Sequence, residues 1–212
     1  ELFLPGEMLL EPGQAYKSPV LFGASTDKGL SALSGAFHRH VRAKLTDRRI
    51  ANKIRPVHFN TWEAVYFDLS LERLCTLAEH AREVGAERFV LDDGWFKNRK
   101  SDNAGLGDWA VDKTVFPAGL APLINHVYKN DMEFGLWVEP EMVNPDSDLY
   151  RARPDWVLNT QPAPLLSARN QLVLDLTRVE VQNYLFKRLD ALLSEYPISY
   201  LKWDMNRAIH QP

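Results

Sequence analysis

The sequence is short of several features that would fix its class at once. It has one cysteine, Cys75, among 212 residues. A single thiol excludes an internal disulfide and any cysteine-built metal site. No run of roughly 18 apolar residues occurs, so no helical membrane span is written into it. Charge is nearly balanced, with 25 Lys and Arg against 28 Asp and Glu, a net of −3. That excludes the basic footprint of a nucleic-acid binder and the basic amphipathic helix of a membrane-surface protein. No glycine-rich phosphate turn follows the first strand-like run, and Gly105-Leu106-Gly107-Asp108 does not follow a strand directly. A basic stretch leading into an apolar core, the mark of a secretory signal, is missing near the start. The chain opens at Glu1 rather than Met, and cytoplasm is the default expectation for its location.

What is present is ordinary globular material, 45% hydrophobic, with six tryptophans, several of them at the ends of strand-like runs. Before residue 25, Leu4-Pro5-Gly6 and Glu11-Pro12-Gly13-Gln14 interrupt short apolar runs, which predicts the tail of a β-rich region. Leu30, Leu33, Phe37, Val41 and Leu45 then keep helical spacing over 29–45. His38 and His40 fall on nearly opposite sides of that helix and are read as surface or packing residues, not ligands. Residues 46–55 look like a polar linker.

From Pro56 the pattern changes to strand, polar cluster, helix. Strands are predicted near 57–62, 88–92, 133–138 and 198–203, with a short one at Leu172-Val173-Leu174-Asp175. Helices are predicted over Leu71 to Val84, with Ser70 as N-cap and Gly85 as stop, over Leu120 to Asn130, and over Val179 to Glu195 before Pro197. Residues 144–168 read as irregular. Alternating strands and helices mean an α/β fold with a parallel sheet. Strands that each end in polar and aromatic residues point to one functional edge, as at the C-terminal face of a (β/α)8 barrel. A full barrel takes about 250 residues. The expectation is therefore a partial TIM barrel over 56–212, preceded by the end of a β-sandwich and a connecting helix over 1–55.

The last strand carries the sharpest chemistry. Lys202 and Asp204 share a face, because side chains alternate along a strand. An ammonium two residues away favours the ionised carboxylate, as a catalytic acid or as a plain strand-end ion pair. Asp92-Asp93 are adjacent, and Gly94 lets the backbone turn so that both reach one ligand. Acids beside Trp95 suit a sugar, whose hydroxyls donate to carboxylates and whose C–H face packs on an aromatic ring. A divalent cation is the rival there, but it wants more convergent oxygens than the sequence offers. Helix N-capping by one of these acids is the plain structural reading. Glu139 and Glu141 flank Pro140. They form an acid–base couple or, the preferred reading, accept from backbone N–H groups. Arg169 fits a site guanidinium and a surface ion pair equally, and Trp62 fits a site aromatic and a core one.

Four ordered segments, FVLDDGW (Phe89 to Trp95), GLWVEPEMV (Gly135 to Val143), RNQLVLDL (Arg169 to Leu176) and LKWDMNR (Leu201 to Arg207), resemble the family 36 glycoside hydrolases. These are the microbial α-galactosidases, or melibiases, and plant raffinose-metabolising relatives. The resemblance implies a retaining hydrolase acting on terminal α-linked galactose of melibiose, raffinose and related galactosides. It makes Asp204 the nucleophile, Asp92 and Asp93 hydroxyl-binding acids, and Trp62, Trp137, Arg169, Lys202 and Asn206 the remaining lining of the sugar pocket. It implies no metal and no organic cofactor, a galactose-containing oligosaccharide as partner, and homo-oligomers for the full-length enzyme. The family's acid/base aspartate lies well beyond the K-W-D segment, whereas eight residues follow Asp204 here and none is acidic. The expectation is a chain truncated inside its barrel, inactive alone. Alternative readings are a family 31-like α-glucosidase fragment, disfavoured by Arg207 after Asn206, and a non-catalytic carbohydrate-binding module.

Overall fold

The computed structural model describes residues 8–51, 53–159 and 164–209. The chain divides into two units, Glu1–Arg55 and Pro56–Pro212. In the first, helix α1 (Leu30–His40) runs into a π-helical turn (Val41–Leu45), and a short helix α2 (Arg48–Ala51) occupies part of the stretch expected to be linker. The Pro12-Gly13 turn forms, with Gln14 N–H donating to the Glu11 carbonyl at 2.9 Å. The strands expected beside it are absent among residues 8–29. A strand needs a second strand to satisfy its backbone, and that stretch contains none. Residues 1–7, where the expected Leu4-Pro5-Gly6 turn falls, lie outside the described residues.

In the second unit four strands form one parallel sheet: β1 (His58–Asn60), β2 (Arg88–Leu91), β3 (Glu133–Val138) and β6 (Tyr200–Trp203), in that spatial order. The register pairs Phe89 with Phe134 and Leu91 with Leu136. That face joins one apolar core with Leu74, Ala78, Leu123 and Val127 of the connecting helices α4 (Leu71–Glu83) and α5 (Ala121–Lys129). Helix α4 starts as predicted, with Ser70 Oγ accepting from Arg73 N–H at 3.2 Å. It ends before Gly85, whose φ of 90° suits a residue without Cβ.

The opposite face of the sheet is layered and largely polar, with Val90 and Trp137 buried in it. Arg88 pairs in register with His58 and Glu133, and its guanidinium contacts both side chains. Asn60, Val90, Gly135 and Tyr200 form the next row, and Trp137 with Lys202 the row above it. Asp92, one residue past Leu91, continues that row. The strands therefore deliver Asp92, Trp137 and Lys202 to one edge, on one face.

Three expectations need correction. Trp62 does not end the first strand; β1 stops at Asn60, and Trp62 opens a short helix α3 (Trp62–Val65). The stretch at 172–175 is not a strand of the parallel sheet. Its β5 (Leu172–Val173) pairs antiparallel with β4 (Met142–Val143) in a separate ribbon. The supposedly irregular 144–168 stretch contains helix α6 (Asp148–Ala152), capped by Ser147 Oγ accepting from Tyr150 N–H, and a 3-10 turn at Pro154–Trp156. Helix α7 (Val179–Glu195) matches its predicted bounds and buries Val181, Leu185 and Leu192, while Leu193 is exposed.

Candidate active site

The C-terminal ends of the parallel strands open into a cavity of about 270 Å³. All eight residues singled out from the sequence line it: Trp62, Asp92, Asp93, Trp137, Arg169, Lys202, Asp204 and Asn206. Phe67, Arg99, Asp102, Glu139 and Gln171 complete the wall.

Asp204 follows directly on β6. Its backbone N–H donates to the Val138 carbonyl at 2.8 Å, which continues the ladder with β3. Its Oδ2 accepts from Trp137 Nε1 and from Asn206 Nδ2, both at 2.9 Å, and its Oδ1 accepts from Met205 N–H at 3.0 Å. Burial pushes this carboxyl up. The three hydrogen bonds and the charge of Lys202 outweigh burial, so Asp204 sits below the usual aspartate range. Asp204 is thus an ionised, oriented carboxylate facing a cavity.

Lys202 makes its direct ion pair with Asp92, Nζ to Oδ2 at 2.8 Å. This corrects the simple strand-end pair with Asp204: the ammonium reaches across β3 instead. The same Asp92 oxygen accepts from Asn60 Nδ2 at 2.5 Å, and Thr61 Oγ1 holds the Asp92 N–H at 2.9 Å. Asp93 is buried and gripped by both arms of Arg99, Nε to Oδ1 at 2.9 Å and Nη2 to Oδ2 at 2.7 Å. Burial pushes the Asp93 carboxyl up, against the opposing pull of Arg99. Gly94, at φ 107°, makes the turn that lets both acids face the cavity; a Cβ there would lie 3.1 Å from Leu69 Cδ1. No helix begins at either acid, so neither is an N-cap.

Trp95 does not cover a ligand. It is fully buried, and its Nε1 donates to the Trp137 carbonyl at 2.9 Å. The aromatic rings at the cavity are instead Trp62, Phe67 and Trp137. Trp62 meets Phe67 edge-on, with centroids 5.1 Å apart.

Glu139 is fully buried and accepts from Asn206 N–H at 2.5 Å and from Gln171 Nε2 at 3.0 Å. This geometry matches the preferred backbone-acceptor reading. Burial pushes its carboxyl up, the bonds from Asn206 and Gln171 oppose that, and the charge of Asp204 adds to the rise. Glu141 turns away to accept from Trp203 Nε1 at 3.2 Å, so the two glutamates do not form a couple. Arg169 sits at φ 51° in a turn closed by paired backbone bonds between Ala168 and Gln171. Arg169 is exposed and lines the cavity, with no ion pair to it among the described residues.

Sequence reasoning missed Arg99, Phe67, Asp102, Gln171 and the buried Asn144 behind them. Gln171 lies inside a quoted segment and was within reach. Arg99, between Asn98 and Lys100 in a polar loop, carries no local signal. A larger cavity, about 400 Å³, lies beside α6 and α7. Of its cations, Lys97 pairs with Asp148 and Arg153 with Asp155, while Arg188 lies over the Tyr184 ring, and the cavity shares no residue with the site.

Comparison with known proteins agrees with the segments in the sequence. The melibiase family model matches residues 15–212. The α-galactosidase of Escherichia coli is 46% identical over 210 residues, covering 99% of this chain and 30% of that protein. AgaA, an α-galactosidase of Geobacillus stearothermophilus, is 43% identical over 199 residues, covering 94% of this chain and 27% of its own length. A solved structure of an AgaA variant in complex with raffinose is similar at a TM-score of 0.83 and 43% identity, over 88% of this chain and 26% of that one. The chain thus spans less than a third of the length of these relatives. A family match that runs from residue 15 to the end, with identities above 40% along nearly the whole chain, leaves one assignment: the chain belongs to the melibiase family, the family 36 α-galactosidases.

Proposed function

We propose that these residues build the nucleophile-bearing part of a retaining α-galactosidase site, on the first half of a (β/α)8 barrel. The observation that carries this is Asp204, ionised, held by three donors and facing the cavity with the Asp92–Lys202 pair. In a retaining hydrolase one carboxylate attacks the anomeric carbon. A second, about 5–5.5 Å away, protonates the leaving oxygen and then activates water. Asp204 suits the first role. Asp92 and Asp93 accept sugar hydroxyls, Lys202 and Arg169 donate to them, and the Trp62 ring covers an apolar sugar face. Trp137 and Asn206 keep Asp204 aimed. The substrate is a terminal α-galactoside such as melibiose or raffinose. Relatives solved with raffinose and with stachyose support that choice. The layered, largely polar sheet face supports a barrel interior, and residues 1–55 are read as the end of a β-rich domain with its helical connection.

The proton donor is a separate matter. Asp92 is engaged by Lys202 and Asn60, Asp93 by Arg99, and Glu139 by Asn206 and Gln171. The proposed donor is a carboxyl group outside these 212 residues, as the family resemblance implies, and Asp102 is the remaining acid of the wall to test against it. The reaction so drawn requires neither metal nor organic cofactor.

The test is a chimera in which this chain replaces the matching segment of the E. coli α-galactosidase. The chimera should hydrolyse p-nitrophenyl α-galactoside, its Asp204→Ala variant should lose turnover, and the 212-residue chain alone should not cleave raffinose. Turnover that survives Asp204→Ala would contradict the assignment.

A further inference from the structure

We propose that Asn144, which does not itself line the cavity, is the positioning residue that locks Arg99 and the Arg169 turn into one unit. The inference rests on the galactosidase reading for its kinetic consequence, but not for the coupling itself.

Asn144 is fully buried, and its side-chain amide makes four hydrogen bonds, the full capacity of that group. Oδ1 accepts from Arg99 Nη1 at 3.0 Å and from Leu106 N–H at 2.9 Å. Nδ2 donates to the Asp102 carbonyl at 3.1 Å and to the Asn170 carbonyl at 2.7 Å. Each bond reaches a part of the cavity wall or its support. Arg99 clamps Asp93 through the two arms not used by Asn144. Asp102 lines the cavity from the same loop. Asn170 shares with Arg169 a turn in which both residues have positive φ, 60° and 51°. Such a turn is costly for residues with side chains and persists only when neighbours hold it. Asn144 supplies one of those holds and is itself anchored, with Asn144 N–H donating to the Leu106 carbonyl at 3.0 Å and Ser147 Oγ donating to the Asn144 carbonyl at 2.8 Å.

The oxygen serves Arg99 and hence Asp93. The nitrogen bridges the Asp102 carbonyl, in the loop of Arg99, to the Asn170 carbonyl, in the turn of Arg169. Asn144→Asp keeps the oxygen side and replaces the donor with a second acceptor, which faces two carbonyls and repels them. Groups that bind sugar hydroxyls equally in ground and transition state act on KM. A variant that merely destabilises the protein lowers the active fraction, which reduces apparent kcat and leaves KM alone.

The experiment pairs kinetics in the chimera with hydrogen–deuterium exchange on the 212-residue chain. Asn144→Asp should raise KM for p-nitrophenyl α-galactoside about tenfold, the scale of one buried hydrogen bond lost, with kcat within about threefold. The Asn144→Asp, Arg169→Ala double variant should raise KM by clearly less than the product of the two single effects, because the two act in part through the same turn. In exchange, Asn144→Ser should loosen residues 97–107 and 166–171 together. That variant introduces no buried charge and stands in where Asn144→Asp does not fold. An unchanged KM, fully additive single variants, or loosening of only one segment would overturn the proposal. Failure of the unmutated chimera to turn over would sink the galactosidase reading instead, and the exchange result would still decide the coupling.

Discussion

Lys202 pairs with Asp92 across the intervening strand, 2.8 Å from Nζ to Oδ2, although Asp204 lies only two residues further along the chain, just past β6. The register explains the choice. Asp92 continues the row of Trp137 and Lys202, so the ammonium meets it side by side. The single cation serves two carboxylates, Asp92 by contact and Asp204 by its field.

Breaking that pair from one side should cost more than removing it. The Asp92 side chain is 4% exposed and that of Lys202 is 37% exposed. Lys202→Met strands a buried carboxylate; with partial screening by water, a loss of about 1–2 kcal/mol is expected. The double variant Asp92→Asn, Lys202→Met should recover part of it. Thermal unfolding of the two checks this, and a double variant less stable than Lys202→Met would refute it.

The pH dependence of Asp204 follows from its donors. A folded pKa below the unfolded value adds stability that is present above the unfolded pKa and lost as pH falls through the folded one. The acid limb of kcat/KM in the chimera should therefore lie below the usual aspartate range. Trp137→Phe removes the Nε1 donor, leaves burial in force, and should move that limb upward. It should also lower kcat about tenfold. A limb that does not move would show that Trp137 only packs.

Much of this site was legible because its cues are local. The period-2 alternation put Lys202 and Asp204 on one face, Gly94 marked the turn after Asp92-Asp93, and Ser70 and Gly85 bracketed α4. What stayed hidden depends on contacts between distant segments. Nothing in the sequence near Asn144 announces bonds to Arg99, Asp102 and Asn170. Val173 sits in an apolar run that suits a sheet strand, yet it pairs with Met142 in a separate ribbon. Trp95 follows two cavity acids, but the turn at Gly94 sends its ring into the core. Helix α6 leaves no signal because it spans five residues, too few for periodicity to register.

Glu139, like Asp93, is a buried carboxyl that burial pushes up, the direction a proton donor needs. The hydrogen bonds assign it to holding Asn206 and Gln171 instead. Glu139→Gln keeps an acceptor for the Asn206 N–H and should cost less than about tenfold in kcat. An acid/base residue would cost about 10²–10⁴-fold, most on substrates with poor leaving groups. Comparing p-nitrophenyl α-galactoside with raffinose separates the two outcomes.

The outer strand β6 leaves Trp203 and, just beyond it, Met205 each 53% exposed. An exposed strand edge with apolar residues invites pairing between chains. The 212-residue chain should self-associate in a concentration-dependent way, and Trp203→Lys should reduce that association in light scattering. Monodisperse monomer at high concentration would count against an open sheet edge.

Covalent trapping decides whether Asp204 is the nucleophile. The chimera is incubated with an activated fluorinated α-galactosyl fluoride, whose glycosyl-enzyme intermediate breaks down slowly, then digested and mapped by mass spectrometry. One fluorogalactosyl adduct is expected, on Asp204 within Leu201 to Arg207. Inactivation with the adduct on Glu139, Asp92 or Asp93 and Asp204 unmodified would contradict that role.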